Sequence, residues 1–334
     1  MSKIVVVTGA GAGVGRATAT MFAKAGYDVA LLGRDEGRLQ AAATEIQGLG
    51  ARAVWHSVDV ADAEAVSRAA QAIEQDFGPI SVWVNNAMAT VFAPVTKVTP
   101  EEFRRATEVT YLGTVHGCLA ALAAMQKRGV GTIINVGSAL AYRSVPLQSA
   151  YCGAKSAIRG FTDSLRSELI HDRSQIKLCM VHLPAVNTPQ FNWALNKMGR
   201  RPMPVPPVYA PEVPARAILF AAEHPRREFW VGFPTVKAIL ANRIAPGFAD
   251  WVLARQGYSG QLTSEKEPED RPANLFKPVP GDEAAHGRFD DVEREVSWEM
   301  FSGRHKAATY AGLLALGIGC LLYTSDAADE EDSV

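Results

Sequence analysis

Short apolar, β-branched runs alternate with longer alanine-rich stretches of helical character from Lys3 to about Asn192. The runs are typical of buried parallel strands, and the stretches are typical of the helices that connect them. This pattern predicts strands over residues 4–8, 28–33, 53–57, 80–85, 131–136 and 176–183. It predicts helices over residues 14–25, 37–49, 61–77, 101–127 and 150–171. Because such units are joined by right-handed crossovers, we expect an α/β fold with a doubly wound parallel sheet and a ligand crevice at the carboxyl ends of its strands.

The pattern changes after residue 187. Residues 188–214 contain seven prolines, too many for a regular element, and predict a loop region that acts as a lid. Residues 228–232 resemble a last strand and residues 234–255 a helix, which would close a single domain over residues 1–255.

The rest of the chain has a different composition. Residues 256–306 are polar and rich in proline, glycine and charge, as expected for a linker or weakly ordered extension. Residues 307–319 are apolar but too few to span a bilayer, and predict either a helix that packs on the domain or a partner, or part of a membrane anchor. Residues 320–334 resemble translated sequencing-adapter sequence and are expected to be an artefact, the alternative being a genuine acidic tail.

The segment TGAGAGVG, directly after the first predicted strand, carries a glycine at every second position. Glycine lets the backbone turn sharply and approach a ligand, and the helix that follows presents free N–H groups and the positive end of its dipole. A pyrophosphate fits such a turn, so the expected ligand is a dinucleotide. The predicted contacts in this turn are Thr8, Gly9, Gly11, Gly13, Val14 and Gly15.

A serine, a tyrosine and a lysine form the candidate catalytic group. Tyr151 and Lys155 are four residues apart, hence on one face of a predicted helix, and Ser138 lies near the carboxyl end of the preceding strand. If the dinucleotide is a nicotinamide cofactor that delivers a hydride to a carbonyl carbon, a proton must also reach the carbonyl oxygen. A phenol with a pKa of about 10 needs positive neighbours to ionise near neutrality, so Tyr151 is the candidate acid/base and Lys155 its positive neighbour.

Together these motifs resemble the short-chain dehydrogenase/reductase family, whose turn reads TGxxxGxG and whose serine precedes YxxxK by thirteen residues, as Ser138 does here. The resemblance covers about 190 residues in order. It implies a Rossmann fold, hydride transfer between a nicotinamide cofactor and a carbonyl or secondary alcohol, and catalysis by Ser138, Tyr151 and Lys155. The further cofactor contacts that it implies are Asp59, Val60, Asn86, Ala87, Tyr151, Lys155, Pro184, Val186 and Thr188.

Three positions depart from the family's pattern. Met88 and Ala185 stand where the NNAG and PGxxxT segments have glycine. Thr110 stands where many members carry an asparagine that supports a proton relay from the lysine. A threonine hydroxyl could partly replace that asparagine, so Thr110 joins the candidate catalytic residues.

The end of the second predicted strand favours NADP(H) over NAD(H). An NAD enzyme places a carboxylate there for the ribose 2′-hydroxyl, whereas an NADP enzyme places a cation. Gly33 occupies the carboxylate position and Arg34 follows it, and a guanidinium suits a 2′-phosphate. Asp35 argues for NAD(H), but it comes one residue later and is predicted to cap the following helix.

Composition narrows the expected partners. The chain is 48% hydrophobic and 21% charged with a formal net charge of −1, so it shows no basic excess for nucleic acid. Its four cysteines lack metal-ligand spacing, and His116 and His182 fall in predicted core elements, which indicates hydrogen-bonded histidines and no metal site. The first strand leaves no room for a signal peptide, so we expect a cytoplasmic protein, membrane-associated if residues 307–319 anchor it.

The side chains expected around the substrate are mostly apolar and favour a hydrophobic carbonyl compound or alcohol. They are Leu140, Tyr142, Val145, Leu147, Val186, Phe191, Trp193 and Met198. The resemblance also implies a homodimer or homotetramer. The alternative function is a non-catalytic NADP-binding sensor or interaction protein, which usually lacks the tyrosine or the lysine that this chain keeps.

Overall fold

The computed structural model describes residues 3–268 and 270–297, which contain a seven-stranded parallel sheet. Its strands are β1 (Ile4–Thr8), β2 (Asp28–Gly33), β3 (Ala53–Ser57), β4 (Ile80–Asn85), β5 (Thr132–Ser138), β6 (Lys177–Leu183) and β7 (Glu228–Trp230). The strand order is β7-β6-β5-β4-β1-β2-β3. From β1 the sheet extends on one side through β2 and β3 and on the other side through β4 to β7, as in a doubly wound Rossmann fold. The predicted fold class is therefore confirmed, and Ser138 is the last residue of its strand.

Helices cover both faces of the sheet. They are α1 (Gly13–Lys24), α2 (Glu36–Gly48), α3 (Ala63–Ala72), α4 (Pro100–Thr107), α5 (Gly113–Gln126), α6 (Ser149–His171), α7 (Glu212–Glu223), α8 (Phe233–Ile244) and α9 (Pro246–Gln256). The helix predicted over residues 101–127 is interrupted by a wide turn, Glu108–Leu112, of the π type. The single helix predicted over residues 234–255 is wrong, because Pro246 lacks a backbone N–H and begins a new helix.

The strands are mostly apolar because helices pack on both sides of them. Successive residues of β1 point to opposite faces. Ile4 and Val6 join the apolar layer that includes residues of α3, α5 and α6, whereas Val5 and Val7 join the layer that includes residues of α1, α2 and α7. Burying each such side chain contributes about 1.5–3 kcal/mol, which makes the sheet a stable base for the residues that follow its strands.

The chain after α9 returns to the domain. Leu262–Lys266 pairs antiparallel with Arg200–Pro202, and Glu293–Arg294 pairs parallel with Val208–Tyr209. Leu275 is 1% exposed and belongs to the apolar core. The proline-rich loop and the extension thus pack together beside the carboxyl ends of the strands.

The boundary predicted at residue 255 stays a prediction, since the described part of the extension packs on the domain rather than apart from it. The segments 307–319 and 320–334 lie outside the described residues. Within residues 3–268 and 270–297, no helix has the length and apolar character needed to cross a membrane.

Candidate active site

A cavity of about 470 Å³ lies at the carboxyl ends of the parallel strands. Residues that follow successive strands line it, because these ends share one edge of the sheet. The lining contains most of the predicted site residues: Gly9, Gly11, Gly13, Val14, Arg34, Asp59, Val60, Asn86, Ala87, Ser138, Tyr151, Lys155, Pro184, Val186 and Thr188. Folding therefore brings the predicted turn, the predicted catalytic group and Arg34 to one cavity.

The glycine turn between β1 and α1 forms a cradle. Gly9 and Gly13 have φ angles of 67° and 57°, which favour glycine. A Cβ atom on Gly15 would lie 2.1 Å from the carbonyl oxygen of Gly9, so this close approach of helix and turn also requires glycine. Helix α1 begins without a side-chain cap at Ala12. The turn fits the pyrophosphate of a dinucleotide, which would meet backbone N–H groups at a helix N-terminus.

Two predicted residues of this turn do not line the cavity. Gly15 lies behind it, against the turn. Thr8 donates a hydrogen bond to the carbonyl oxygen of Val84 (3.3 Å) and accepts one from the amide of Asn86 (2.9 Å). Its hydroxyl thus joins the ends of β1 and β4, and direct contacts of Thr8 and Gly15 with a cofactor stay predictions.

Ser138, Tyr151 and Lys155 meet at the other end of the cavity. Ser138 ends β5, and Tyr151 and Lys155 lie on successive turns near the start of α6. Ser138 Oγ accepts a hydrogen bond from the amide of Leu140 (3.1 Å) and forms another with Tyr151. Lys155 Nζ lies 5.6 Å from the centroid of the Tyr151 ring and donates to the carbonyl oxygen of Val136 (2.6 Å). The three groups can therefore act on one substrate oxygen.

Burial sets the protonation of this group. It raises the pKa of Tyr151, and the hydrogen bond with Ser138 only partly opposes this. It lowers the pKa of Lys155, which is 3% exposed, to about 7. Both changes favour the uncharged side chains, because a charge is poorly solvated in the interior. Tyr151 is thus a neutral phenol without a cofactor, the form that can donate a proton.

Thr110 lies in the wide turn before α5 and does not line the cavity. Its hydroxyl donates to the carbonyl oxygen of Ala89 (3.0 Å) and accepts from the amide of the same residue (2.9 Å). Since Thr110 is fully buried, both contacts are made in the interior. The Thr110 hydroxyl thus fixes the backbone of Ala89, and its part in a proton relay stays a prediction.

Arg34 marks the end of the cavity that would hold the adenosine half of a dinucleotide. Residues 274–284, here termed the strap, lie across this end. Arg34 donates to three carbonyl oxygens of the strap, and Arg38 donates to two. The amide of Gly13 donates to the carbonyl oxygen of Ala284 (3.0 Å). Sequence reasoning missed this contact, because the composition of the strap contains no signal of where it packs.

Three guanidinium groups gather beside the strap. Burial lowers the pKa of Arg34, Asp59 opposes this, and the charges of Arg105 and Arg38 lower it further. Burial works to raise the pKa of Asp59, but hydrogen bonds, first from Arg105, hold it below its usual value. The positive charge around Arg34 suits an anionic group. Asp35 caps α2 by accepting from the amide of Arg38 (2.9 Å), which confirms its predicted role.

The apolar lining is only partly as predicted. Five of the eight residues expected around the substrate line the cavity: Leu140, Val145, Val186, Phe191 and Trp193. Trp193, however, lies 4.3 Å from the guanidinium of Arg38, at the adenosine end. Tyr142, Leu147 and Met198 are not in the lining, since Tyr142, for example, turns away toward Glu228.

Several lining residues were not predicted. They are Arg38, Arg143, Gln148, Met203, Pro204, Val205, Pro206, Pro234, Ala238, Leu253, Asn274 and Pro278 among others. The prolines of residues 188–214 signal a covering loop, but nothing local in α8, α9 or the strap signals contact with the site.

His116 and His182 are hydrogen-bonded, as predicted. His116 Nδ1 lies 2.9 Å from the carbonyl oxygen of Val60, and both ring nitrogens of His182 have partners. His286 lies near Glu212, Asp290 and Glu293 in the extension. Burial works to lower the pKa of His286, but these carboxylates raise it, Glu212 most. These carboxylates favour the protonated imidazole, with which they form ion pairs.

Comparisons with known proteins agree with this geometry. A family model described as short chain dehydrogenase matches residues 3–198. The chain is 34% identical over 261 residues to an uncharacterized oxidoreductase, YxnA, of Bacillus subtilis, covering 78% of this chain and 73% of that one. It is 36% identical over 186 residues to a putative oxidoreductase, SadH, of Mycobacterium tuberculosis, covering 56% of this chain and 67% of that one.

Solved structures share the fold. An alcohol dehydrogenase from the archaeon Thermococcus sibiricus, complexed with 5-hydroxy-NADP, superposes with a TM-score of 0.59 at 27% identity, covering 69% of this chain and 95% of that one. L-Sorbose reductase from Gluconobacter frateurii, complexed with NADPH and L-sorbose, has a TM-score of 0.61 at 24% identity with the same coverage. At that identity the second likeness concerns the fold alone.

Proposed function

Because the chain belongs to the short-chain dehydrogenase family and is an NAD(P)-dependent oxidoreductase, we propose that it transfers a hydride between NADP(H) and a hydrophobic carbonyl compound or secondary alcohol. One observation carries the proposal. A single cavity has Ser138, Tyr151 and Lys155 at one end and the guanidinium of Arg34 at the other. This arrangement suits a dinucleotide that carries an extra phosphate and presents its nicotinamide to the catalytic group.

In the reducing direction, Tyr151 donates its phenolic proton to the carbonyl oxygen of the substrate. Ser138 donates a hydrogen bond to the same oxygen and holds it beside Tyr151. The ammonium form of Lys155, which a pKa of about 7 keeps accessible near neutrality, stabilises the phenolate that remains, and in the oxidising direction this phenolate accepts the proton of the alcohol. The bound nicotinamide supplies or accepts the hydride. Acid/base catalysis of this kind contributes about 10²–10⁴-fold to the rate.

The preference for NADP(H) rests on Arg34. Its guanidinium lies in the cavity lining with Arg38 near it, and an arginine fork pairs well with phosphate oxygens. The preference for hydrophobic substrates rests on apolar side chains of the lining, such as Leu140, Val205 and Leu253.

The test uses the purified full chain, titrated with NADPH and NADH and then supplied with a panel of apolar ketones and aldehydes. We expect NADPH to bind more tightly than NADH, and at least one apolar carbonyl to be reduced. Tyr151→Phe should lose about 10²–10⁴-fold in turnover and keep NADPH binding. Tyr258→Phe, on an exposed tyrosine, is the matched control.

Each part can fail separately. Absence of NADPH binding contradicts the cofactor. Retained turnover in Tyr151→Phe contradicts the assigned acid. NADPH binding without turnover of any carbonyl or alcohol supports a non-catalytic sensor instead.

A homodimer or homotetramer is part of the proposal. Leu119 on α5 is 58% exposed and Ile170 on α6 is 70% exposed, so these helices present apolar side chains that a second copy could cover. Light scattering coupled to size-exclusion chromatography tests this, and a monomer at micromolar concentration contradicts it.

A further inference from the structure

His182 lies on β6, behind the catalytic serine, and is fully buried. Its Nδ1 is 3.2 Å from the carbonyl oxygen of Ser138. Its Nε2 is 3.2 Å from Oε2 of Glu228 on β7. His182 is not in the cavity lining, so it touches neither the cofactor nor the substrate of the proposed reaction.

Both partners of the ring are hydrogen-bond acceptors. A carbonyl oxygen can only accept. Burial works to raise the pKa of Glu228, but hydrogen bonds from His182 and Tyr142 lower it to about 2, so the carboxyl is ionised. The hydroxyl of Tyr142 already donates to the same oxygen (2.5 Å). A neutral imidazole has one N–H donor, so a ring that satisfies both acceptors carries a proton on each nitrogen.

The neighbouring strands are shaped around this ring. Gly137 is the register partner of His182 on β5, and a Cβ atom on Gly137 would lie 2.6 Å from His182 Nδ1. Trp230 is its register partner on β7. The glycine directly before the catalytic serine thus leaves the space that the ring occupies.

Further charged groups face the same network. Arg159 lies with its guanidinium 4.5 Å from the centroid of the Tyr142 ring. Arg166 is attracted by the charge of Glu228. Glu228 thus faces His182, Tyr142 and Arg166, which favour its ionised form, while Arg166 also pairs with Asp163 (3.1 Å).

We propose that His182 is a positioning residue for Ser138, whose carbonyl oxygen it ties to Glu228 through a doubly protonated ring. Ser138 is the last residue of β5, in register with Leu183 of β6, and the chain leaves the sheet directly after it. The ring supplies a fixed donor at this point and thereby aims the Ser138 hydroxyl at Tyr151 and the substrate oxygen. The role in turnover rests on the proposed function, whereas the protonation state does not.

The protonation state is tested by ¹⁵N NMR of the full chain labelled at histidine, at about pH 7. We expect both ring nitrogens of His182 to carry a proton, because each faces an acceptor. In Glu228→Gln one of them should lose its proton at neutral pH. Loss of the His182 resonances in His182→Asn assigns them, and His171, which is exposed, serves as an internal reference. A neutral His182 ring at pH 7 in the unaltered protein overturns the proposal.

The positioning role is tested by the steady-state kinetics of His182→Leu and His182→Asn. A displacement of about 1 Å in a catalytic group costs about 10²-fold, so we expect kcat to fall about 10- to 100-fold in His182→Leu with the Kd for NADPH unchanged. The side-chain amide introduced by His182→Asn can donate to the carbonyl oxygen of Ser138, so this variant should recover much of kcat. The matched control is His171→Leu.

Two kinetic results overturn the proposal. One is an unchanged kcat in folded His182→Leu. The other is an equal loss of kcat and NADPH affinity, which indicates general destabilisation. If His182→Leu does not fold, Glu228→Gln replaces it, since it keeps the shape and should also lower kcat. If the unaltered protein reduces no carbonyl, the proposed function fails while the NMR result still decides the state of His182.

Discussion

The two ends of the cavity are held in place by different parts of the chain. At the catalytic end, Ser138 and Lys155 are fixed by the sheet and by α6, and Lys155 bonds to a carbonyl 19 residues away. At the adenosine end, Arg34 is fixed by carbonyl oxygens of the strap, about 240 residues later in the sequence. The first end belongs to the core of the fold, whereas the second is completed by an element that packs onto it.

The two ends should therefore differ in how easily their side chains move. Groups held by a buried sheet move only when the domain opens. Opening is costly because it exposes a large apolar area. The strap exposes much of its length, and Leu275 anchors it in the apolar core. We therefore expect changes at the adenosine end to alter cofactor affinity and exchange, and changes at the catalytic end to alter turnover and its pH dependence.

Charge reversal of Arg34 should have the largest effect. A charge-assisted hydrogen bond contributes about 1.5–3 kcal/mol, so Arg34→Glu should weaken NADPH binding about 10- to 100-fold and NADH binding much less. Fluorescence titration measures both constants. Arg104→Glu, on an exposed arginine of α4, is the matched control. An equal loss of affinity for both nucleotides would show that Arg34 does not bind the 2′-phosphate.

Removing the Thr110 hydroxyl should lower the free energy of unfolding. Thr110→Ala leaves both backbone groups of Ala89 without this partner in the interior, and should cost about 1–3 kcal/mol in urea unfolding. Thr110→Ser should restore most of this. We expect kcat of folded Thr110→Ala to change little. A large loss of kcat would instead support the proton relay and place Thr110 with the catalytic residues.

Lys155 should make the stability of the cofactor-free protein depend on pH. Its pKa is about 7 when folded against an ordinary value of 10.5, so between these values the unfolded chain binds more protons and stability rises with pH. The slope is at most about 1.4 kcal/mol per pH unit. Lys155→Met should lack this contribution. Urea unfolding at pH 7.5 and pH 9 compares the two proteins, and parallel pH dependences would contradict the lowered pKa.

Loosening the strap should have the smallest effect. Leu275→Ala weakens its apolar anchor, and we expect NADPH to dissociate about 5-fold faster while hydride transfer in a single turnover is unchanged. Stopped-flow fluorescence measures dissociation. Leu49→Ala, on an exposed leucine at the end of α2, controls for the substitution itself. Unchanged dissociation in a folded variant would mean that the strap does not limit release of the cofactor.

The sequence alone determined the fold class and predicts the candidate catalytic group, because both depend on local patterns. Alternating apolar runs and helical stretches predict β1 to β4 with the observed bounds. The turn from Thr8 to Gly15 and the pair Tyr151 and Lys155 are short motifs whose geometry follows from a helix and a strand end.

The tertiary structure decided what depends on distant contacts. Thr110 is bound to Ala89 rather than facing the cavity, and Trp193 lies on Arg38 rather than near the catalytic group. The strap has no periodic pattern of apolar residues, so its packing over Arg34 leaves no local signal. Hydrophobic periodicity reports which face of an element is buried, but not which partner buries it, and the partners of these residues are set by the packing of the whole chain.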